Sequence, residues 1–332
     1  MIDSSFPLID LHRHLDGNIR LETVLELGLH YNLPLPAADL EGLRPYVQVS
    51  EPKPSLLAFF EKFHWPMAIL KDLNAVRRVA YENVEDAARE EIAYIELRFS
   101  PWFMAESNQL NPAGVTEAVV DGVQAGQRDF GVKTNLIGIL SRTYGTEIAW
   151  KELEALLSQK EHITALDLAG DEVNYPARLF ADHFAKGRDA GWQITVHAGE
   201  VDGPESIWQA LRELGAVRIG HATRAPQDPA LMDHLLQNHI GIEVSLTSNV
   251  QTSVVESYTA HPLRQFLQFG LLATLNTDDP GISGIDLHHE YEVAAPAAGL
   301  SPDMIHQAQR NALEAAFLSS QEKQALLAAA SF

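Results

Sequence analysis

Short apolar, β-prone runs recur along the chain, and each is followed by a longer stretch with helical character. Eight such runs occur, at residues 7–14, 92–100, 133–141, 163–171, 193–200, 217–223, 240–249 and 271–280. Eight strands that alternate with helices predict an α/β fold of the (β/α)8, or TIM-barrel, type. A doubly wound open sheet is the alternative, and it is weakened because no Gly-x-Gly-x-x-Gly follows an early strand.

One long gap interrupts this alternation, since residues 15–91 are too many for a single crossover helix. We expect extra helices there, forming a lid over one end of the barrel. The stretch LLAFFEKFHW places four apolar residues at helical spacing: Leu56, Phe59, Phe60 and Phe63. Such a face can pack on the barrel, cover the mouth of a site, or do both. The sequence therefore predicts one catalytic barrel domain over residues 1–332, with a helical insertion at about 15–91.

Composition limits the partners that suit this chain. It carries 24 Lys and Arg against 45 Asp and Glu, a formal net charge of −21, and no cysteine. This acidity opposes nucleic acid or an anionic membrane as a partner, while a small neutral or cationic ligand remains open. The absence of cysteine excludes disulfides, thiolate metal sites and a cysteine nucleophile. No stretch matches a secretory signal or a membrane span, so we expect a cytoplasmic protein.

Polar residues cluster where the predicted strands end. In a parallel barrel the chemistry lies at the C-terminal ends of the strands. The first run ends in DLHRH, and period-2 alternation points His12 and His14 to the same side. An isolated His-x-His is more often a surface or hydrogen-bonded pair than a metal site. Three further strand ends, VHAGE, IGHAT and NTDDP, supply His197, Glu200, His221, Asp278 and Asp279. With these residues at the same rim, a metal site becomes the favoured interpretation. Imidazoles and carboxylates at one rim suit zinc, or less specifically iron or manganese.

The other histidines provide a contrast. Most fall in predicted helices or loops, away from strand ends: His162, His183, His234, His239, His261 and His306. The pair in DLHHE opens a predicted helix after the last strand. We expect all of these side chains to be structural or exposed to solvent.

An ordered series of motifs resembles the adenosine deaminases, a family of the metal-dependent amidohydrolase superfamily, and most closely the bacterial type. The motifs are DLHRHLDG, LRFSP, LDLAGDE, VHAGE, RIGH, SLTSN and LNTDDPG, and they span essentially the whole chain. A lone His-x-His would be weak, but this series in order is specific. The resemblance implies hydrolysis of adenosine and 2′-deoxyadenosine to inosine and 2′-deoxyinosine plus ammonia, in purine salvage, with one Zn²⁺ per chain.

The resemblance also implies a role for individual residues. Four would bind zinc, with water as a fifth ligand: His12, His14, His197 and Asp278. Three would be catalytic: the proton donor Glu200, the water-orienting His221, and Asp279, which contacts the water and the purine ring. Further substrate contacts would come from His14, from Asp16 at the ribose, from the backbone of Gly170 at the ring, and from an apolar wall of Leu56, Phe59 and Phe63.

One residue departs from the family pattern. Ala222 follows His221 at a position where family members usually have glycine. A Cβ at this position matters most if the backbone φ is positive there. We expect activity to survive at an altered rate.

Several alternatives stay open from the sequence. A relative that acts on free adenine or another 6-aminopurine would share most of these motifs. A catalytically idle barrel that binds a nucleoside or a metal ion is disfavoured by the presence of Glu200 and His221. A hydrolase with two metal ions bridged by a modified lysine is disfavoured because LDLAGD supplies no lysine. The chain is expected to be a monomer or a weak dimer.

Overall fold

Eight parallel strands form the centre of the molecule. The computed structural model describes residues 2–53 and 55–330, with the backbone alone for Leu56 and Leu57. Strands β1–β8 run Ile9–His14, Tyr94–Phe99, Lys133–Ser141, Ile163–Ala169, Gln193–Ala198, Arg218–His221, Gly241–Val244 and Leu272–Leu275. Each strand pairs in parallel with the next one along the chain, so strand order follows sequence order. The predicted (β/α)8 fold is confirmed.

Helices surround this sheet and are numbered α1–α18 in chain order. They run Leu21–His30, Leu40–Val47, Leu56–Phe60, His64–Ala68, Leu73–Arg89, Pro101–Glu106, Pro112–Phe130, Gly145–Leu157, Ala181–Asp189, Pro204–Gln209, Pro229–Gln237, Leu246–Gln251, Leu263–Phe269, Pro280–Ser283, Leu287–His289, Ala295–Ala297, Pro302–Ala315 and Ser320–Ala330. Short 3-10 and π segments connect several of them. Among the described residues, no helix has the length and apolarity needed to cross a bilayer.

The barrel closes between β1 and the segment that follows β8. The His14 amide donates to the Asp278 carbonyl at 2.7 Å, and the Asp278 amide donates to the His12 carbonyl at 2.8 Å. The Leu11 amide donates to the Asn276 side-chain oxygen at 2.9 Å. We call these residues the β1–β8 seam. Because the seam pairs backbone at the ends of two strands, it brings His12, His14 and Asp278 together.

Five helices, α1–α5, occupy the predicted insertion between β1 and β2. The last of them, α5, belongs to the outer ring of the barrel and packs along α7. This approach is close because α7 carries Gly122, where a Cβ would lie 2.3 Å from the Arg77 carbonyl. The short helix α3 and the 3-10 turn Glu61–Phe63 that follows it bring aromatic side chains to the C-terminal end of the barrel.

Several strands end earlier than the sequence predicted. The run 240–249 forms β7 only as far as Val244, and α12 begins at Leu246. The run 271–280 stops as a strand at Leu275. Residues just beyond the strands adopt positive φ, at +67° for Asp278 and +52° for Ala222, and this conformation is incompatible with a continuing strand. The apolar pattern locates the strands, but the backbone turns where polar side chains enter the cavity.

Candidate active site

A cavity of about 280 Å³ opens at the C-terminal end of the strands. Most of the site residues expected from the sequence line it: His14, Asp16, Phe63, Gly170, His197, Glu200, His221, Asp278 and Asp279. His12 lies beneath this lining and is fully buried. Phe59 is also fully buried, and Phe60 lines the cavity in its place. The Leu56 side chain lies outside the described residues. Further lining residues that the sequence did not indicate include Ser100, Phe103, Ser141, Thr143 and Tyr144.

Three imidazoles and one carboxylate converge at the floor of this cavity. Asp278 Oδ1 lies 3.2 Å from His12 Nε2 and 3.3 Å from His14 Nε2. His14 Nε2 lies 3.2 Å from His197 Nε2. Atoms that bind one zinc ion at its usual bond lengths lie about 3.4 Å apart. Within the described part of the chain, His12 Nε2 is buried without a hydrogen-bond partner. These four donors therefore have the spacing to hold one metal ion, and His12 Nε2 has no other partner for its lone pair.

Carboxylates inside the barrel orient two of these imidazoles. His12 Nδ1 lies 2.7 Å from Glu243 Oε2, and His197 Nδ1 lies 3.0 Å from Asp167 Oδ2. An imidazole that donates from Nδ1 to a carboxylate presents the lone pair of Nε2 on its other side. Arg98 donates to both carboxylates, at 2.7 Å to Glu243 and 2.8 Å to Asp167. Sequence analysis missed this layer, although each of the three is a charged residue within an apolar strand run.

A chain of hydrogen bonds fixes the proton on His221. The Leu263 amide donates to His261 Nδ1 at 3.1 Å, so His261 carries its proton on Nε2 and donates to Asn249 Oδ1 at 3.1 Å. Asn249 Nδ2 then donates to His221 Nδ1 at 3.1 Å. A neutral imidazole that accepts at Nδ1 carries its proton on Nε2. His221 Nε2 therefore points a donor toward Glu200, whose Oε2 lies 3.8 Å away.

This tautomer bears on which groups can bind a metal. Donor atoms of His12, His197, His221 and Asp278 lie within 4.8 Å of one another, so distance alone admits His221 as a ligand. The proton on Nε2 removes the lone pair that a metal needs. Burial lowers the pKa of His261 to about 3, which keeps that ring neutral and the chain of donors intact. His261, expected to be structural, thus extends its influence to the cavity.

The carboxyl groups around the cavity differ in their proton affinity. Burial raises the pKa of Glu200 to about 7. Burial and the negative charge of Asp278 raise the pKa of Asp279 well above its usual range. Burial opposes ionisation of Asp278 as well, but its close contact with His12 and with the neighbouring imidazoles holds its pKa well below the usual value. The two adjacent aspartates therefore differ in proton affinity: Asp278 favours the ionised form and Asp279 favours the protonated form.

The local backbone accounts for three further residues that the sequence singled out: Gly170, Asp16 and Ala222. Gly170 has a φ of +109°, and a Cβ there would lie 2.5 Å from Thr143 Oγ1, so only glycine exposes its backbone to the cavity. Asp16 is held by the Ser100 amide, which donates to Oδ2 at 3.1 Å. Ala222 has a φ of +52°, the condition under which its departure from glycine matters. An alanine in this conformation costs about 1–2 kcal/mol.

Comparison with known proteins places these features in a family. A closed parallel barrel with imidazoles and carboxylates at its strand ends is an architecture of hydrolases that activate water with a metal ion. A family model described as adenosine deaminase matches residues 7–330. An adenosine deaminase from Vibrio cholerae is 61% identical over 330 residues, which cover 99% of each chain. The chain belongs to the adenosine deaminase family, and it is a hydrolase that acts on C–N bonds.

Solved structures of more distant deaminases share the fold. An adenine deaminase from Arthrobacter aurescens is 25% identical, with a TM-score of 0.90 and coverage of 98% of both chains. The N6-mAMP deaminase of Arabidopsis is 28% identical, with a TM-score of 0.83 and the same coverage. These relatives are named for a free base and for a nucleotide. Family membership therefore leaves a base, a nucleoside and a nucleotide as candidate substrates, and the lining of the cavity has to distinguish among them.

Proposed function

We propose that this protein hydrolyses adenosine and 2′-deoxyadenosine to inosine and 2′-deoxyinosine plus ammonia, with one zinc ion per chain, in purine salvage. The observation that carries this proposal is the position of Glu200. Its buried carboxyl lines the same cavity as His14, His197 and Asp278, so a proton donor and a group of metal donors face one substrate. Family membership supports the reaction, and the geometry supports the residues assigned to it.

The donor set fits zinc. We assign His12, His14, His197 and Asp278 as its protein ligands, because three imidazoles and one carboxylate suit this ion and no thiolate is present. When bound, zinc would lower the pKa of a water molecule to about 7 and so supply a nucleophile at neutral pH. The carboxylates Glu243 and Asp167 would keep two of the imidazoles in the required tautomer.

Glu200 and His221 each present a proton close to the reacting carbon. Attack of water at C6 pushes an electron pair toward N1 of the purine, which then takes a proton. Glu200, with its pKa raised to about 7 by burial, is protonated in about half of the molecules at neutral pH and is assigned as the donor to N1. His221 donates its Nε2 proton in a hydrogen bond to the attacking oxygen and so orients it. The attacking oxygen gives up both of its protons: one returns to the Glu200 carboxylate that protonated N1, and the other passes to the amino group. The C6–N bond then breaks, ammonia leaves and the 6-oxo purine remains.

Asp279 and Gly170 would hold the purine ring. Asp279 Oδ1 is buried and, within the described part of the chain, has no hydrogen-bond partner. Because the pKa of Asp279 is raised by burial and by the charge of Asp278, this carboxyl can donate a proton in a hydrogen bond to a ring nitrogen. The backbone of Gly170 lies on the cavity wall beside Ala169. Phe60, Phe63 and Phe103 supply apolar surface for the ring.

The cavity favours a nucleoside over a nucleotide or a free base. Asp16 lines it and offers a carboxylate oxygen to a sugar hydroxyl, a contact that adenine cannot make. Among the described residues that line the cavity, none is lysine or arginine, while four are aspartate or glutamate. A 5′-phosphate would find no cationic side chain in this lining to pair with and would face the Asp16 carboxylate. The unphosphorylated nucleoside is therefore the substrate that matches this lining, because it has a sugar hydroxyl for Asp16 and no phosphate.

The test is to incubate zinc-loaded protein with adenosine, 2′-deoxyadenosine, adenine and AMP, and to follow the 6-oxo product and ammonia. We expect kcat/KM for both nucleosides to exceed the value for adenine and for AMP by at least about 100-fold, since a site built for a hydroxyl rejects ligands that lack it. Turnover of none of the four would refute the proposal, and a preference for adenine would favour a base deaminase. Glu200→Gln should bind zinc and lose turnover.

A further inference from the structure

The carboxylate of Glu172 lies at the centre of an unusual set of backbone donors. Glu172 follows β4 and is 5% exposed. Its oxygens accept hydrogen bonds from the amides of Glu200 at 3.2 Å, Val201 at 2.9 Å and Asp202 at 3.0 Å. They also accept from the Gly199 amide and the Ser206 hydroxyl. Four consecutive amides of one loop thus converge on a single side chain from a neighbouring strand end.

These amides belong to the loop that carries Glu200. Residues 199–202 leave β5 without joining a helix or a strand, so their amides need partners from elsewhere. Gly199 adopts a φ of +65°, which turns the loop back toward β4. A concave run of amides of this kind binds an anion, and here the anion is part of the protein. Without Glu172 the loop would lose the partner that its amides share.

Two other side chains bind backbone carbonyls here, one at the end of β5 and one in the 199–202 loop. Arg142 is fully buried and donates to the His197 carbonyl at 2.7 Å. Thr223 donates to the carbonyls of Gly199 and Glu200, at 2.9 and 3.0 Å. The backbone on both sides of Glu200 is therefore held by hydrogen bonds. The Glu172 carboxylate accepts from its amides, and Arg142 and Thr223 donate to its carbonyls. Of these three, only Glu172 contacts the Glu200 amide itself.

We propose that Glu172 is a positioning residue for the deamination, holding the 199–202 loop so that the Glu200 carboxyl stays at the proton-donating position. This inference rests on the proposed role of Glu200. Glu172 does not line the cavity, so it acts through the loop and not through the substrate. A displacement of about 1 Å in a catalytic group costs on the order of 10²-fold in rate. Loss of the shared acceptor should therefore appear in kcat more than in KM.

The experiment is a double-mutant cycle on the zinc-loaded full chain, with Glu172→Gln, Glu200→Gln and the double variant. The glutamine places an amide group against backbone donors that require an acceptor. We expect Glu172→Gln alone to lower kcat by about 10²-fold with KM changed less than about threefold and one zinc retained. In the Glu200→Gln background the same substitution should lower the residual kcat by less than about threefold, because the group it positions is already gone.

The matched control is Asp171→Asn, which removes a carboxylate charge from the neighbouring residue. Asp171 accepts from the amide and side chain of Asn174 and contacts no part of the 199–202 loop in the described contacts. We expect its kcat and KM to stay within about twofold of the parent. Glu172→Asp provides a second cycle if the glutamine variant folds poorly, since it keeps the charge but withdraws it by one methylene.

The outcomes separate this inference from the proposed function. Equal losses from Glu172→Gln in both backgrounds would overturn it, because a purely structural role lowers activity whether or not Glu200 is present. A loss confined to KM or to zinc content would overturn it as well. If Glu200→Gln kept full activity, the proposed proton donor and this inference would both fall. A loss with Glu200→Gln but additive behaviour in the cycle would leave the proposed function standing alone.

Discussion

The donor that His221 presents to the cavity is set by a backbone amide three hydrogen bonds away. Leu263 can only donate, and this directionality passes through His261 and Asn249 to the His221 ring. The consequence is chemical, since a ring protonated on Nε2 orients water by donation and cannot serve there as a base or as a metal ligand. The motif SLTSN contains Asn249, but the sequence offered no signal that connects it to His221 through space.

We predict that Asn249→Asp makes turnover sensitive to pH through His221. A carboxylate at this position accepts a proton from Nδ1, so it raises the pKa of the ring and stabilises the imidazolium. At low pH the imidazolium still carries the Nε2 proton, but as pH rises the neutral ring keeps its proton on Nδ1 and loses the donor. The parent already loses activity above the Glu200 pKa of about 7. In the variant we expect the ratio of kcat at about pH 9 to kcat at about pH 6 to fall on the order of 10²-fold below the same ratio in the parent.

The measurement is a pH profile of kcat with adenosine, together with the ¹⁵N shifts of the His221 ring. Asn238→Asp is the matched control, because Asn238 Nδ2 lies 3.3 Å from His234 Nδ1 in the same kind of pair at the surface. Its profile should follow the parent. An Asn249→Asp profile parallel to the parent, with the ring still protonated on Nε2 at high pH, would contradict the assigned tautomer.

At the scale of elements, the insertion shows why Phe60 lines the cavity beside Phe63, where the family resemblance implied Phe59. Leu56, Phe59 and Phe63 share a face only if one α-helix continues through all of them. The structure ends α3 at Phe60 and continues as a 3-10 turn over Glu61–Phe63. Side chains three residues apart eclipse in a 3-10 turn, which aligns Phe60 with Phe63 toward the cavity. Phe59 turns into the core instead, with its ring centroid 6.1 Å from that of Phe63.

This difference predicts opposite effects from two substitutions in α3. Phe60→Ala removes apolar surface from the cavity, so we expect KM for adenosine to rise about tenfold while the stability changes by less than about 1 kcal/mol. Phe59→Ala leaves a void in the core, so we expect the free energy of unfolding to fall by about 3–5 kcal/mol. Steady-state kinetics and urea unfolding of both variants provide the measurement. A larger KM effect from Phe59→Ala would show that Phe59 forms the wall after all.

The strands show how far a sequence can define such a site. Periodicity and strand-end motifs predicted the eight strands and placed His12, His197 and Asp278 at one rim, because a parallel barrel brings the ends of its strands together. The sequence did not indicate the roles of Glu243 and Asp167 inside the barrel, or of Glu172, which binds the 199–202 loop. Their roles depend on which strands are neighbours and on side-chain directions, and neither is encoded in the spacing of one motif.

At the scale of the whole molecule, the donors assigned to zinc join distant parts of the chain. His12 and His14 come from β1, His197 from β5 and Asp278 from the segment after β8. Asp278 also closes the β1–β8 seam through its backbone. A metal ion bound by these residues would therefore link both sides of the seam and the opposite wall of the barrel. Such an ion binds the folded barrel and not the unfolded chain, so binding must stabilise the fold.

We predict that removing zinc lowers the melting temperature and loosens the seam. At a free zinc concentration 1,000-fold above Kd, binding contributes about 4 kcal/mol, which corresponds to about 5–10 °C for a chain of this size. A chelator should lower Tm by this amount, and hydrogen exchange should accelerate at the His14 and Asp278 amides ahead of the rest of the sheet. His197→Gln supplies the control, because a chelator should shift its Tm far less. Equal Tm values with and without chelator in the parent would contradict the assigned ligands, since four donors from β1, β5 and the segment after β8 cannot bind an ion without stabilising the barrel that assembles them.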